Sequence, residues 1–170
     1  MKRIALLCAA FIGTAAAERV PNTQVYYFRE FDSMTDANKS TVAVAEINDT
    51  EANTFFSFLC RNGQPDVYLQ TKNDLLTTSD YDADRYPNLM YRVDSQQAKT
   101  LPSDGATDNG KIDLTTMAFD TARDQILVAA FKNAQSKVTV RILRNSASAL
   151  DYTFYVKGFK QAMTAVNNCK

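Results

Sequence analysis

The chain has 170 residues, no histidine and no tryptophan, and equal numbers of acidic and basic residues, 19 of each. Without histidine there is no general base for Ser-His-Asp or Cys-His sites, and the commonest metal ligand is missing. The balanced charge offers no basic surplus to grip a phosphate backbone, which argues against nucleic acid as a partner.

The first element is a leader. Lys2 and Arg3 precede an apolar run, Ile4 to Gly13, and Ala15-Ala16-Ala17 supplies a small-residue cleavage site. That order reads as a signal peptide over 1–17, cut before Glu18. The apolar run is well short of the roughly 20 residues a membrane span needs. Cys8 lies inside it, preceded by Leu7 rather than a small residue, and is expected to leave with the leader. The remaining 153 residues, 18–170, carry 17 basic and 19 acidic side chains, a net charge of −2. They are expected to form one exported domain, periplasmic or secreted and not membrane-spanning.

Along this domain, "VYYFREF" (Val25–Phe31), "TVAVAEIN" (Thr41–Asn48) and "TFFSFLC" (Thr54–Cys60) are rich in aromatic and β-branched residues and predict strands. "RNGQP" holds Asn62-Gly63, a hairpin signal, and "DVYLQTK" (Asp66–Lys72) returns as the next strand. A polar stretch, Asn73–Asn88, is expected as loop. "LMYRVD" (Leu89–Asp94) alternates as a strand. Ser95–Asp113 is polar, contains Pro and Gly, and is expected as a long surface loop, followed by a short strand in "LTTMAF". "DTARDQILVAAFKNAQ" predicts a helix N-capped by Asp120, with Ile126, Leu127, Ala130 and Phe131 on one face. "KVTVRILR" and "LDYTFYVKG" are period-two strands joined through "NSASA". Gly158 opens a last helix whose stripe of Phe159, Ala162, Met163 and Val166 extends by spacing to Cys169.

After leader removal two cysteines remain, Cys60 and Cys169. In an exported chain this even count predicts one intramolecular disulfide; two free thiols or an intermolecular bridge are the alternatives. The expected fold is mainly β (α+β): an antiparallel sandwich-like or strongly bent sheet of seven or eight strands. Two helices complete it, the C-terminal one packed on the sheet.

No P-loop, G-x-G-x-x-G or G-x-S-x-G is present, and no catalytic residue, metal or cofactor is assigned. Asp80, Asp82 and Asp84 alternate like the start of a calcium loop. Arg85 and Tyr91 stand where that loop needs Gly and Glu, so they remain acidic-loop candidates only. Asp104, Asp108 and Asp113 lie in a second polar stretch. Arg92 and Asp94 point off the core face of their strand, as do Thr139, Arg141 and Leu143 on another and Tyr155 on a third. If these strands are neighbours, Arg92, Asp94, Arg141 and Tyr155 form a polar, partly aromatic binding face. Tyr26, Tyr27 and Phe28 offer further aromatic surface if one of them is exposed. Asn38 and Asn48 head Asn-x-Ser/Thr triplets, glycosylation acceptors in a eukaryotic secretory pathway.

Several segments follow one another in a characteristic order: "SMTDANKSTVAVAEI", "FLCRNGQPDVYLQT", "LMYRVD", "ILVAAF" before "VTVRIL", and the close "YTFYVKGFKQAMTAVNNC". The order resembles small periplasmic proteins of the TagO (VasI) kind, associated with bacterial type VI secretion. The resemblance spans Val25 to Cys169, departing in the absent tryptophan of the first strand and in the acidic Asn73–Asn88 stretch. It implies a non-catalytic accessory of the cell envelope with an envelope protein as partner, and supports Cys60 and Cys169 as a structural pair. The other expectation is a carboxylate-based periplasmic hydrolase or a small-ligand or glycan-binding protein. It would bring two of Asp80, Asp82, Asp84 and Asp94 together in a pocket beside Tyr81 or Tyr86.

Overall fold

The computed structural model describes residues 17–170; the expected leader, with Cys8, lies outside them apart from Ala17. The strands are β1 (Glu18–Arg19), β2 (Val25–Phe28), β3 (Thr41–Ala45), β4 (Phe55–Arg61), β5 (Gln64–Gln70), β6 (Asn88–Val93), β7 (Lys99–Pro102), β8 (Asp104–Asp108), β9 (Lys111–Ala118), β10 (Lys137–Leu143) and β11 (Leu150–Tyr155). Three helices join them: α1 (Thr78–Asp82), α2 (Thr121–Asn133) and α3 (Phe159–Ala165), the last followed by a 3-10 turn, Asn167–Cys169. One sheet has the order β1-β2-β3-β4-β5-β9-β8 and the other β11-β10-β6-β7. Every pairing is antiparallel. The mainly β, sandwich-like α+β fold with a C-terminal helix is therefore as the alternation predicts.

Period-two alternation explains the layers. Phe56, Phe58 and Cys60 of β4 point inward, as do Val138, Val140 and Ile142 of β10, while their odd-numbered neighbours point out. The inward residues of both sheets join one core. Phe56 is its hub: its ring lies 4.9 Å from Phe131 of α2 and 4.9 Å from Phe154 of β11. Phe58 lies 4.7 Å from Phe159 of α3. All five rings are fully buried, each contributing about 2–3 kcal/mol by burial. Outside the core, the β3–β4 turn also ties the sheets together. Ile47 N donates to Thr153 O of β11 at 3.0 Å, and the buried Glu46 carboxylate accepts from Thr153 N at 3.4 Å.

The structure departs from expectation in four places. There are eleven strands among the described residues, because β1 precedes the first expected strand and the expected loop Ser95–Asp113 contains β7, β8 and the start of β9. These are end-of-sheet strands with few buried positions, so no alternation betrays them. Asn109-Gly110, a signal the sequence reading passed over, turns the β8–β9 hairpin: both residues have positive φ, as Asn62 and Gly63 do between β4 and β5. In the expected loop Asn73–Asn88, Thr77 and Asp80 form a capping box that starts α1. On α2, Ile126 is 42% exposed, and Asp124 is buried beside Leu127, Ala130 and Phe131 instead. Finally, Cys169 does not continue the helical stripe of α3. The helix ends at Ala165, and Asn167, Asn168 and Cys169 all adopt positive φ. That left-handed turn, rather than helical spacing, carries Cys169 to Cys60, with their Cα atoms 4.8 Å apart in a disulfide. No helix among the described residues is long and apolar enough to cross a membrane.

Candidate binding face on the four-stranded sheet

The register brings the predicted face together. β10 lies between β6 and β11, with Arg92 opposite Thr139, Met90 opposite Arg141, Arg141 opposite Asp151 and Lys137 opposite Tyr155. Side chains of one parity therefore share the outer surface of this sheet. Arg92, Lys137, Arg141, Asp151 and Tyr155 are all exposed on it.

Two of the expected residues are already engaged. Asp94 sits just past β6 with φ 48° and accepts from the backbone N–H groups of Gln135, Ser136 and Lys137 at 2.8, 2.9 and 3.0 Å. These amide bonds hold its carboxyl below the usual carboxylate range. Asp94 thus fastens the start of β10 to the end of β6, and the same amides keep its carboxylate ionised at the edge of the face. Arg141 pairs with Asp151 through two 2.7 Å bonds, a fork of the kind planar guanidinium favours.

Arg92, which the sequence reading did single out, and three further cations on this side that it did not, have no such partner. Among the described residues, Arg19, Arg92, Lys137 and Lys157 make no ion pair. Their positions follow hollows in the surface. One of about 510 Å3 is bordered by Arg19, Gln24, Ser136, Tyr155 and Lys157. The next, about 460 Å3, shares Ser136 and adds Arg92, Lys137 and the carboxylate of Asp94. A third of about 240 Å3 runs on from Arg92 and Thr139 to Arg141. Lys157 and Arg19 were invisible as site residues because one lies two residues past the end of β11 and the other on β1, which meet here only in three dimensions. The result is a shallow, cationic trough with Tyr155, 47% exposed, beside it.

The acidic candidates do not converge. Asp80 is buried; it accepts from Thr77 and Ser146 hydroxyls at 2.8 Å each and pairs with Arg85 at 3.0 Å. Asp84 accepts from Tyr86 Oη at 3.0 Å, and Asp82 is exposed at the end of α1. Asp104 pairs with Arg123 at 2.8 Å, Asp108 accepts from Asn109, and Asp113 accepts from Thr115. Among the described residues no three His, Cys, Asp or Glu side chains are grouped to hold a metal ion.

Tyr26, Tyr27 and Phe28 are each half-buried. Tyr27 Oη donates to Glu18 at 2.7 Å, and the Arg19 guanidinium lies 5.5 Å from the Tyr26 ring. Asn38 is buried, its amide donating to Val166 O at 2.9 Å, so in the folded chain it is a clamp rather than a modification acceptor. No family model, curated protein or solved structure matches the chain.

Proposed function

We propose that this protein is a non-catalytic binding or assembly module of the cell envelope, docking on an anionic envelope partner through the outer face of the four-stranded sheet. The observation that carries this reading is a run of four cations without an ion pair, Arg92 and Lys137 on this face and Arg19 and Lys157 at its margin, against one lining carboxylate, Asp94. Unpaired surface cations steer and select a partner of opposite charge, and Tyr155 adds the amphipathic contact area typical of interfaces. Export is supported by the sequence of the leader, and the Cys60–Cys169 disulfide is compatible with an oxidising compartment. The order of motifs that resembles the TagO/VasI proteins makes a type VI secretion subunit the first partner to test. The hydrolase alternative has no comparable support, because Asp80 and Asp94 already spend their oxygens on local hydrogen bonds.

The test is a cross-linking pull-down of tagged protein from cells of its source, with the Lys137→Glu/Lys157→Glu double variant beside it. Recovery of an envelope subunit that falls about tenfold with the variant is expected. Equal recovery by both proteins sinks the assignment of this face.

A further inference from the structure

A second docking element stands at the other end of β2, on the connection to β3. Five large apolar side chains are exposed among the described residues, and the two most exposed, Met34 at 90% and Phe31 at 51%, lie three residues apart on this loop. Scattered apolar residues on a surface are ordinary. Two on one tightly held loop are not explained that way.

Asp32 holds the loop. Its Oδ1 accepts from Met34 N at 3.0 Å and Thr35 N at 3.1 Å, and its Oδ2 meets Lys39 Nζ at 2.6 Å. Its backbone closes the same turn: Asp32 N donates to Ala37 O and Asp36 N to Asp32 O, at 2.8 and 2.9 Å. Below this knot Phe31 and Asn38 form a β-bridge. The Asn38 amide reaches down to Val166 O at 2.9 Å and Lys170 O at 3.2 Å. Cys60 N donates to Ser40 O, and Cys60 is bonded to Cys169. The disulfide and the Asn38 clamp therefore fix the base from which the loop projects.

We infer that the Phe31–Ala37 loop is a preformed plug whose Met34 enters an apolar pocket, rimmed by basic side chains, on a protein partner. A loop ordered before contact costs less to bind, and an unbranched thioether fits irregular apolar pockets. The basic rim follows from charge: Lys39 is neutralised by Asp32 and Arg29 by Glu18, while Glu30 and Asp36 make no ion pair among the described residues. The same two carboxylates disfavour an anionic lipid surface.

The experiment places a benzophenone photocross-linker at position 34 of the full chain in its source cells, with position 164 on α3 as control. One protein adduct specific to position 34 is expected, its attachment peptide apolar and flanked by Lys or Arg. Its yield should fall about tenfold with Glu30→Gln/Asp36→Asn, which removes both charges while keeping at position 36 a residue type that tolerates its φ of 56°, with an unchanged melting temperature. It should persist with Lys137→Glu/Lys157→Glu, so loss of the cationic face and loss of the plug are separable. Equal labelling at positions 34 and 164, labelling of lipid, or co-sedimentation with phosphatidylethanolamine/phosphatidylglycerol vesicles that Met34→Glu abolishes would each overturn it.

Discussion

The space that a β-carbon on Gly105 would take is filled by two rings. It would stand 2.6 Å from Tyr81 Cε2 and 2.6 Å from Tyr86 Cε1. These tyrosines meet edge to face, 5.8 Å between centroids, and they lock α1 against the β8–β9 hairpin. Gly105→Ala must push them apart, so a loss of about 1–3 kcal/mol is expected in urea denaturation. An unchanged midpoint would mean the rings can swing out without cost. Asp94 makes a related point at the same scale. It reads as a binding carboxylate when only its strand parity is considered. The three amides that occupy it come from residues about forty positions away in sequence, and no local pattern announces them.

At the scale of an element, α2 is rotated from the face its apolar residues suggest. Asp124 is 3% exposed and accepts from Val67 N at 3.0 Å. β9 pairs with β5 only over Tyr68, Leu69 and Gln70, so it does not reach the Val67 amide. A buried amide needs an acceptor, and the helix supplies one from its first turn. Burial, with Asp66 and Asp120 adding to it against the Val67 hydrogen bond and Arg123, raises the Asp124 carboxyl from 3.8 to about 6. A raised acid is protonated more readily in the folded chain than in the unfolded one. Its contribution is thus complete below pH about 4 and is lost as pH climbs through about 6, a change of up to about 3 kcal/mol. Other carboxyls, such as Asp120 at about 2, are lowered and act in the opposite sense at lower pH. Comparing wild type with Asp124→Asn isolates the one group. The wild type should lose stability between pH 4.5 and 7.5 relative to the variant, measured by chemical denaturation at each pH. Parallel profiles would contradict the assignment.

At the scale of the whole molecule, the disulfide closes a separation of 109 residues and anchors the chain's last turn to β4. The chain-entropy account gives such a loop about 4.7 kcal/mol, and measured values run lower, typically about 2–4 kcal/mol. Cys60→Ser with Cys169→Ser should show a loss of that size in chemical denaturation, with faster amide exchange at Ser40 and Val166. A loss under about 1 kcal/mol would mean that α3 packing and the Asn38 clamp hold this end unaided.

Much of this architecture is written in local pattern. Aromatic and β-branched runs marked β2 to β4, alternation marked β5, β6, β10 and β11, Asn62-Gly63 marked a hairpin, and the Phe159–Val166 stripe marked the last helix, because strands and helices bury one face at a fixed period. The pairing of Cys60 with Cys169 followed from their number and the leader. What the sequence could not determine was decided by partners distant along the chain. β7 and β8 are strands because β6 and β9 offer them edges, not because their own residues alternate. Asp124 is buried because one amide on β5 lacked a neighbour. The cationic trough exists because β1, β6, β10 and β11 bring Arg19, Arg92, Lys137 and Lys157 to one side. Periodicity reports which face of an element is apolar; only tertiary pairing decides which elements share that face and which polar groups are left free upon it.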